Sequence, residues 1–235
     1  MASFNGARHL RSQLDSILPQ LGRSDELIVS DDGSTDGSLE ILAGLRDARV
    51  RVLRGPARGA AENFASALAQ ARNHVVFLAD QDDVWEKDKL ARQSAYLERY
   101  LLVVSDCVIT DESGGVTHSS YFAINRSRPG LIRNLCRNSY MGCCMAFRRE
   151  LLQAALPIPS KLAHDWWLGM VAELCGDVLF LPEPLVRYRR HGANISPTAR
   201  KSDRSLRAKL GDRLTLAYEL SKRAIKGPLS AGKSG

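Results

Sequence analysis

Val75-Val76-Phe77-Leu78-Ala79-Asp80-Gln81-Asp82-Asp83-Val84-Trp85 runs from an apolar strand straight into three carboxylates within four residues. That order needs a physical reason, because like charges repel and an ionised carboxylate is costly at the edge of a core. A divalent cation shared with a phosphorylated ligand supplies one. Hard cations such as Mg²⁺ or Mn²⁺ take carboxylate oxygens and complete their shells with phosphate oxygens. A solvated acidic turn ahead of a helix is the other reading, since the first turn of a helix favours Asp and Glu.

Around this stretch the pattern alternates helix and strand. Leu10, Leu14, Ile17 and Leu18 fall at helical spacing over residues 6–18, ahead of Pro19. Residues 27–30 form a short apolar strand that ends in the polar turn Asp31-Asp32-Gly33-Ser34-Thr35-Asp36-Gly37. A helix over 38–45, a strand over 50–53, an Ala-rich helix over 59–71 and the strand over 74–79 follow. Residues 86–100 read as an amphipathic helix and 101–110 as a further strand. The alternation predicts an α/β fold, Rossmann-like, with a mostly parallel central sheet and helices on both faces. Ligands bind such sheets beyond the carboxyl ends of the strands, so Asp31-Asp32 and the acids at 80–83 should converge on one crevice.

The second half is less regular. Residues 111–127 read as a polar loop, 129–137 as helix, 140–147 as strand, 164–175 as helix, and 177–181 and 185–189 as two short strands. No internal repeat or long linker divides residues 1–199, which are expected to form one domain.

The chain has 235 residues, a composition typical of a globular protein and a net charge of +7. Residues 200–235 hold ten Lys/Arg and three Asp/Glu, so the excess of positive charge belongs to the tail. That placement argues against a nucleic-acid-binding face on the domain. Leu206, Leu210, Leu214, Tyr218 and Ile225 line one side of a predicted helix over 204–226, with basic residues around the rest. Two readings stand: the stripe packs on the domain, or it lies on a membrane surface as a peripheral contact. Residues 200–227 thus form a basic amphipathic extension, and 228–235 a disordered tail. No run approaches the roughly 20 apolar residues of a membrane span. No signal-like apolar region follows residues 1–6, and the five cysteines show no Cys-x-x-Cys pair. Both features lead to the expectation of a cytoplasmic protein with reduced thiols.

Several segments, taken in order, resemble the inverting family 2 glycosyltransferases of GT-A fold. They are Ala2-Ser3-Phe4-Asn5-Gly6, the Asp31-Asp32-Gly33-Ser34 turn, Asp80-Gln81-Asp82-Asp83-Val84-Trp85, Asn138-Ser139-Tyr140-Met141-Gly142, His164-Asp165-Trp166-Trp167 and Tyr188-Arg189-Arg190-His191-Gly192-Ala193-Asn194-Ile195-Ser196. The Asp-Gln-Asp-Asp-Val-Trp and His-Asp-Trp-Trp forms are most similar to the rhamnosyltransferase-like branch, which builds bacterial cell-surface polysaccharides. The resemblance implies that Phe4 and Asn5 meet the nucleotide base and that Asp31, with Asp32, accepts the imide N–H of a pyrimidine. It implies that Asp82 binds a Mg²⁺ or Mn²⁺ ion, that Asp80 lies near the donor ribose and the metal, and that His191 reaches the metal or the diphosphate. Asp165 becomes the catalytic base, and Trp166 and Trp167 a wall for a sugar face, with one of the pair in the core. Asp83 is expected to cap the following helix, and one of Arg187, Arg189 and Arg190 to pair with the diphosphate.

The implied activity is transfer of a sugar, such as L-rhamnose, from a dTDP- or UDP-sugar to a saccharide or lipid-linked acceptor at the inner face of the membrane. Family members usually open with a longer apolar strand than the few residues before Phe4, so the first strand is expected to be truncated. That shortness favours, as a rival, a module that binds nucleotide sugar or membrane without turnover. A sugar nucleotidyltransferase is a second rival, disfavoured because residues 5–23 contain no Gly-rich basic phosphate loop.

Overall fold

A computed structural model describes residues 1–192 and 205–225. The last four residues of the His191 segment, Ala193-Asn194-Ile195-Ser196, lie outside the described residues. So do 200–204, at the start of the expected extension, and the expected tail at 228–235. The segment Leu27–Asp31, apolar at its first three positions, is buried at all five as strand β2, between β1 (Ala2–Ser3) and β3 (Val50–Arg54). All three strands are parallel. Their connections are the helices α1 (Ala7–Ile17) and α2 (Ser38–Ala43). α1 buries Leu10, Leu14 and Ile17, as their spacing predicts. After β3, α3 (Ala60–Ala69) packs back on β1 and β2.

The second sheet contains β4 (Val75–Phe77), β5 (Val84–Trp85), β6 (Leu102–Thr110), β7 (Val116–His118), β8 (Met145–Arg148) and β9 (Val178–Arg189). Its order is β4-β8-β6-β9-β5, with β7 beside β6. Only β6 and β9 run parallel; the β4–β8, β6–β8, β5–β9 and β6–β7 pairs are antiparallel. The parallel arrangement therefore holds for the first sheet, and the second is mixed. The two expected strands near 177–189 are one strand, whose register against β6 shifts around Asp106, where Pro184 lies opposite. Proline cannot donate to a ladder, so a slip in register is where a strand tolerates it.

Residues 111–127 are more ordered than a polar loop. They form the β6–β7 hairpin and α5 (Tyr121–Asn125), whose Ser120 cap accepts the Ala123 N–H. Buried Asp106 accepts bonds from the Ser120 hydroxyl and the Phe122 N–H, and so holds this segment down. α4 (Lys89–Leu97) packs on β6 and β8. α6 (Leu131–Cys136) and α7 (Leu151–Ala155) flank α8 (His164–Cys175), which is buried from Trp167 to Ala172. The Tyr140 ring packs against Gly169 of α8, and its hydroxyl donates to Glu173 at 2.7 Å. A Cβ at position 169 would come within 2.3–2.4 Å of that anchored ring. Gly169→Ala is therefore expected to destabilise the fold by about 3 kcal/mol, the upper range for overpacking. An unchanged denaturant midpoint would contradict this packing.

The basic extension forms α9 (Leu206–Ile225), which packs on α6 and α8 through Leu216 and Leu220. The Arg213 guanidinium donates to Cys136 O, and Arg223 to Pro157 O. The expected stripe is not the packed face, because Leu210, Leu214 and Tyr218 are 57%, 63% and 63% exposed. α9 thus carries two apolar sides. No helix among the described residues is long and apolar enough to cross a membrane.

β1 is only two residues long. The Met1 amine is buried and donates to Ile28 O at 2.7 Å, and Ala2 N–H donates to Ala79 O. No ladder joins β2 to β4, and a cavity of about 370 Å³ is lined there by Leu27, Ile28 and Val75 to Ala79, among others.

Candidate active site

The carboxyl ends of β1, β2 and β4 carry three loops that are bonded into one floor. Asn5 N–H donates to Ser34 Oγ, and Asn5 Oδ1 accepts the Thr35 N–H, both at 2.8 Å. Gly6 N–H donates to Ser38 Oγ and Ala7 N–H to Asp36 Oδ2. Gln81 exchanges two bonds with the Phe4 backbone: its Oε1 accepts the N–H at 2.7 Å, and its Nε2 donates to the O at 2.9 Å. A Cβ on residue 6 would lie 2.2 Å from the Gln81 side chain, so the approach requires Gly6. Asn5 holds a left-handed φ of 49°, which an Asn tolerates. The Phe4 ring is 55% exposed. From α3, buried Asn63 donates to the carbonyls of Ser3 and Ser30 and ties β1 to β2.

Asp31 and Asp32 are buried beneath this floor. Asp31 accepts the N–H groups of Gly33 and Ser34 and the Ser34 hydroxyl. Asp32 accepts the N–H groups of Ala57 and Gly59. A carboxylate offers about four acceptor sites, so Asp31 has one left and Asp32 two. The turn and loop roles are filled without exhausting either group.

The three acids after β4 separate. Asp82 Oδ2 meets His191 Nε2 at 2.8 Å, and the His191 ring stacks on His9 with centroids 5.3 Å apart. The Asp80 carboxyl is pushed up to about 7 by burial, then by Asp82 and Asp165. Asp83 is fully buried and accepts the Arg189 N–H, and burial raises its pKa well above the ordinary carboxylate range. It does not cap α4, which starts six residues later, at Lys89. Asp80, Asp83 and Cys143 bring ligand atoms within 4.8 Å of one another. Asp83 and Cys143 are sealed in the core, however, whereas Asp82 and His191 are partly open.

Asp165 lies in the first turn of α8, and its Oδ1 accepts the Trp166 N–H at 2.6 Å. Burial and the Asp165 charge raise the Tyr121 phenol. Trp166 is half-buried and donates to Asn134 O. Trp167 is core: it is fully buried, and its indole N–H donates to Ala155 O at 2.7 Å. It therefore offers no face to a sugar. Of the three arginines, Arg187 pairs with Glu86, and Arg189 donates to the carbonyls of Asp82 and Glu112. Arg190 keeps a buried Nη1 without a partner.

The crevice thus joins Phe4, Asn5, Asp80, Asp82, Asp165 and His191, with Asp31 and Asp32 below. Gln81, His9 and Asn63 were not legible as parts of it. Each acts through a partner far away in the sequence, and only Asn63, a polar residue on the buried side of an Ala-rich helix, left a trace.

A parallel strand–helix unit whose loops present carboxylates to a mixed second sheet defines the GT-A class of sugar-transfer folds. The chain belongs to glycosyl transferase family 2, whose model matches residues 1–156, and it is a glycosyltransferase by family. An uncharacterised glycosyltransferase of Nostoc is 25% identical over 233 residues, covering 93% of this chain and 72% of the relative. An uncharacterised Mycobacterium tuberculosis protein is 29% identical over 203 residues, and the match spans 58% of its length. The dTDP-rhamnosyl transferase RfbG of Shigella flexneri is 24% identical, over 83% of this chain and 75% of its own. Among solved structures, Staphylococcus aureus TarS with UDP-GlcNAc superposes with a TM-score of 0.65 at 19% identity, covering 98% of this chain and 73% of TarS. Glucosyl-3-phosphoglycerate synthase of M. tuberculosis, with Mn²⁺, UDP and phosphoglyceric acid, gives a TM-score of 0.55 at 21% identity, covering 98% of this chain and 78% of the synthase. These structures establish the GT-A fold for the chain.

Proposed function

We propose that this chain transfers a sugar from a nucleoside-diphosphate donor to a hydroxyl of a saccharide or lipid-linked acceptor, with inversion and with a divalent cation. The observation that carries this reading is the convergence of Asp80, Asp82 and Asp165, close enough that the last two raise the first. Such crowding is relieved by positive charge. The donor set fits: a carboxylate and an imidazole 2.8 Å apart suit Mn²⁺, and the carboxylate also suits Mg²⁺. Asp82 and His191 would hold the ion, with Asp80 beside it and near the donor ribose. When bound, the cation offsets negative charge on the leaving diphosphate.

The protein's own groups do the rest. Phe4 and Asn5 flank the base, and Asp32 or Asp31 spends a remaining acceptor site on a pyrimidine imide N–H. The unpartnered Arg190 Nη1 suits a phosphate oxygen. Asp165 takes the proton of the acceptor hydroxyl as that oxygen bonds to the anomeric carbon and the bond to the diphosphate breaks. Trp166 offers an apolar edge to the sugar. The UDP of two neighbours and the dTDP-linked name of one relative support a pyrimidine donor. L-Rhamnose is the sugar favoured by the Asp-Gln-Asp-Asp-Val-Trp and His-Asp-Trp-Trp forms, with transfer at the inner membrane face.

Thermal shifts with UDP, dTDP and GDP, each with and without Mn²⁺, test this. A pyrimidine diphosphate with Mn²⁺ at a hundred times its Kd should add about 2.7 kcal/mol of stability. Asp82→Ala should abolish the Mn²⁺ dependence. A response confined to GDP would sink the pyrimidine assignment, and no response to any nucleotide would sink the function.

A further inference from the structure

Outside the crevice, one surface combines exposed apolar side chains with an excess of positive charge. On α9, Leu210, Leu214 and Tyr218 point away from the packed residues Leu216 and Leu220. Of the charged residues of this helix, Arg207 and Lys222 are exposed; Lys222 pairs with Glu219 at 2.6 Å and lies over the Tyr218 ring, and Asp212 is partly buried. Arg213 ties α9 to the C-terminal end of α6 at Cys136 O, and in the first turn of α6 Ile132 is 81% exposed. Around α6, Arg126, Arg128 and Arg137 are exposed as well. Burial and then the charges of Arg128 and Arg137 lower the Arg133 guanidinium. A monomer gains nothing by massing like charges beside bare leucines. An anionic bilayer offers both complements, lipid phosphate for the guanidinium groups and acyl boundary for the apolar side chains.

We propose that α9 and the α6 segment form a docking surface for an anionic membrane, with Ile132, Leu210, Leu214 and Tyr218 entering the headgroup boundary and Arg126, Arg128, Arg137 and Arg207 meeting lipid phosphates. α6 also packs on α8, and Trp166, next to Asp165, donates to Asn134 O of α6. The surface therefore lies on the Asp165 side of the molecule, where an acceptor anchored in the same bilayer would arrive. Docking does not depend on the transfer chemistry, so its failure would leave the proposed activity standing.

Co-sedimentation of the full chain with vesicles tests the surface. Vesicles of phosphatidylcholine with one-third phosphatidylglycerol should bind the protein, and pure phosphatidylcholine should not. High salt should weaken binding by screening. Leu210→Ser with Leu214→Ser should lower the partition coefficient about tenfold or more, given the apolar area withdrawn. Arg128→Gln with Arg137→Gln should lower it by about fivefold per charge. Both pairs are exposed, so their melting midpoints should match the parent. Equal binding to both vesicle types, no binding to either, or unchanged binding by the Leu variant would overturn the proposal. A dimer in sedimentation velocity that the Leu substitutions dissolve would also overturn it, by assigning the surface to a second copy of the chain.

Discussion

Asp165→Asn should abolish sugar transfer, by about 10²- to 10⁴-fold in kcat, while leaving nucleotide binding intact. That range is what a positioned general base contributes. The substitution is close to isosteric, and the asparagine oxygen can still accept the Trp166 N–H that Asp165 Oδ1 accepts now. The first turn of α8 should therefore keep its shape, and only the ability to take a proton is lost. The thermal shift given by UDP or dTDP with Mn²⁺ should survive, because Asp82, His191 and the base-side loops are untouched. Turnover like that of the parent would remove Asp165 from the base role. Loss of nucleotide binding along with turnover would make it a structural residue of the crevice.

Asp80→Asn should do the reverse: stabilise the ligand-free protein while damaging function. The Asp80 carboxyl is raised from 3.8 to about 7, first by burial and then by Asp82 and Asp165. Between about pH 4 and 7 the folded state therefore holds a proton that the unfolded chain has released, and stability from this group falls as pH rises through that window. At 1.36 kcal/mol per pKa unit the full loss is about 4 kcal/mol, and partial exposure brings it to about 2–4. Asparagine carries no charge to desolvate, so the variant should melt on the order of 5–10 °C above the parent at pH 8. The two should converge near pH 4. The Met1 amine, pushed down to about 5 by burial, makes stability rise between pH 5 and 8, but it is present in both proteins and largely cancels in the difference. With Mn²⁺ and nucleotide the order should invert, because only the parent regains the stability that its crowded acids gave up. A gap that does not change between pH 4 and 8 would refute the assignment.

Local pattern carried much of this structure. β2, β3, β6, α1, α3 and α8 follow from apolar runs or helical spacing, because burial decides those positions and burial is written in residue type. What failed was set by partners far along the chain. Residues 111–127 read as loop because Asp106, which anchors Ser120 and Phe122, lies in another element. Asp83 looked like a helix cap because a sequence does not show that β9 will bring the Arg189 N–H to it. On α9, Leu210 and Leu214 follow the same period as Leu216 and Leu220, and periodicity alone cannot say which pair faces the protein. The site shows the same division. The acids at 80–83 stood out as chemistry out of place, and Asp165 and His191 entered as candidates only through the family resemblance, whereas the contacts of Gln81 and His9 exist only in the folded chain.

The Gln81 clasp on the Phe4 backbone gives the crevice a thermodynamic property. Gln81 stands between Asp80 and Asp82 in the chain, so the loop assigned to the cation and the loop assigned to the base share two hydrogen bonds. Neither can shift without straining the other. Ion and nucleoside should therefore bind with a coupling free energy, and linkage makes it reciprocal: the factor by which Mn²⁺ tightens a nucleoside without phosphates equals the factor by which that nucleoside tightens Mn²⁺. Gln81→Ala would cut this wire while leaving every group assigned to ion or base in place.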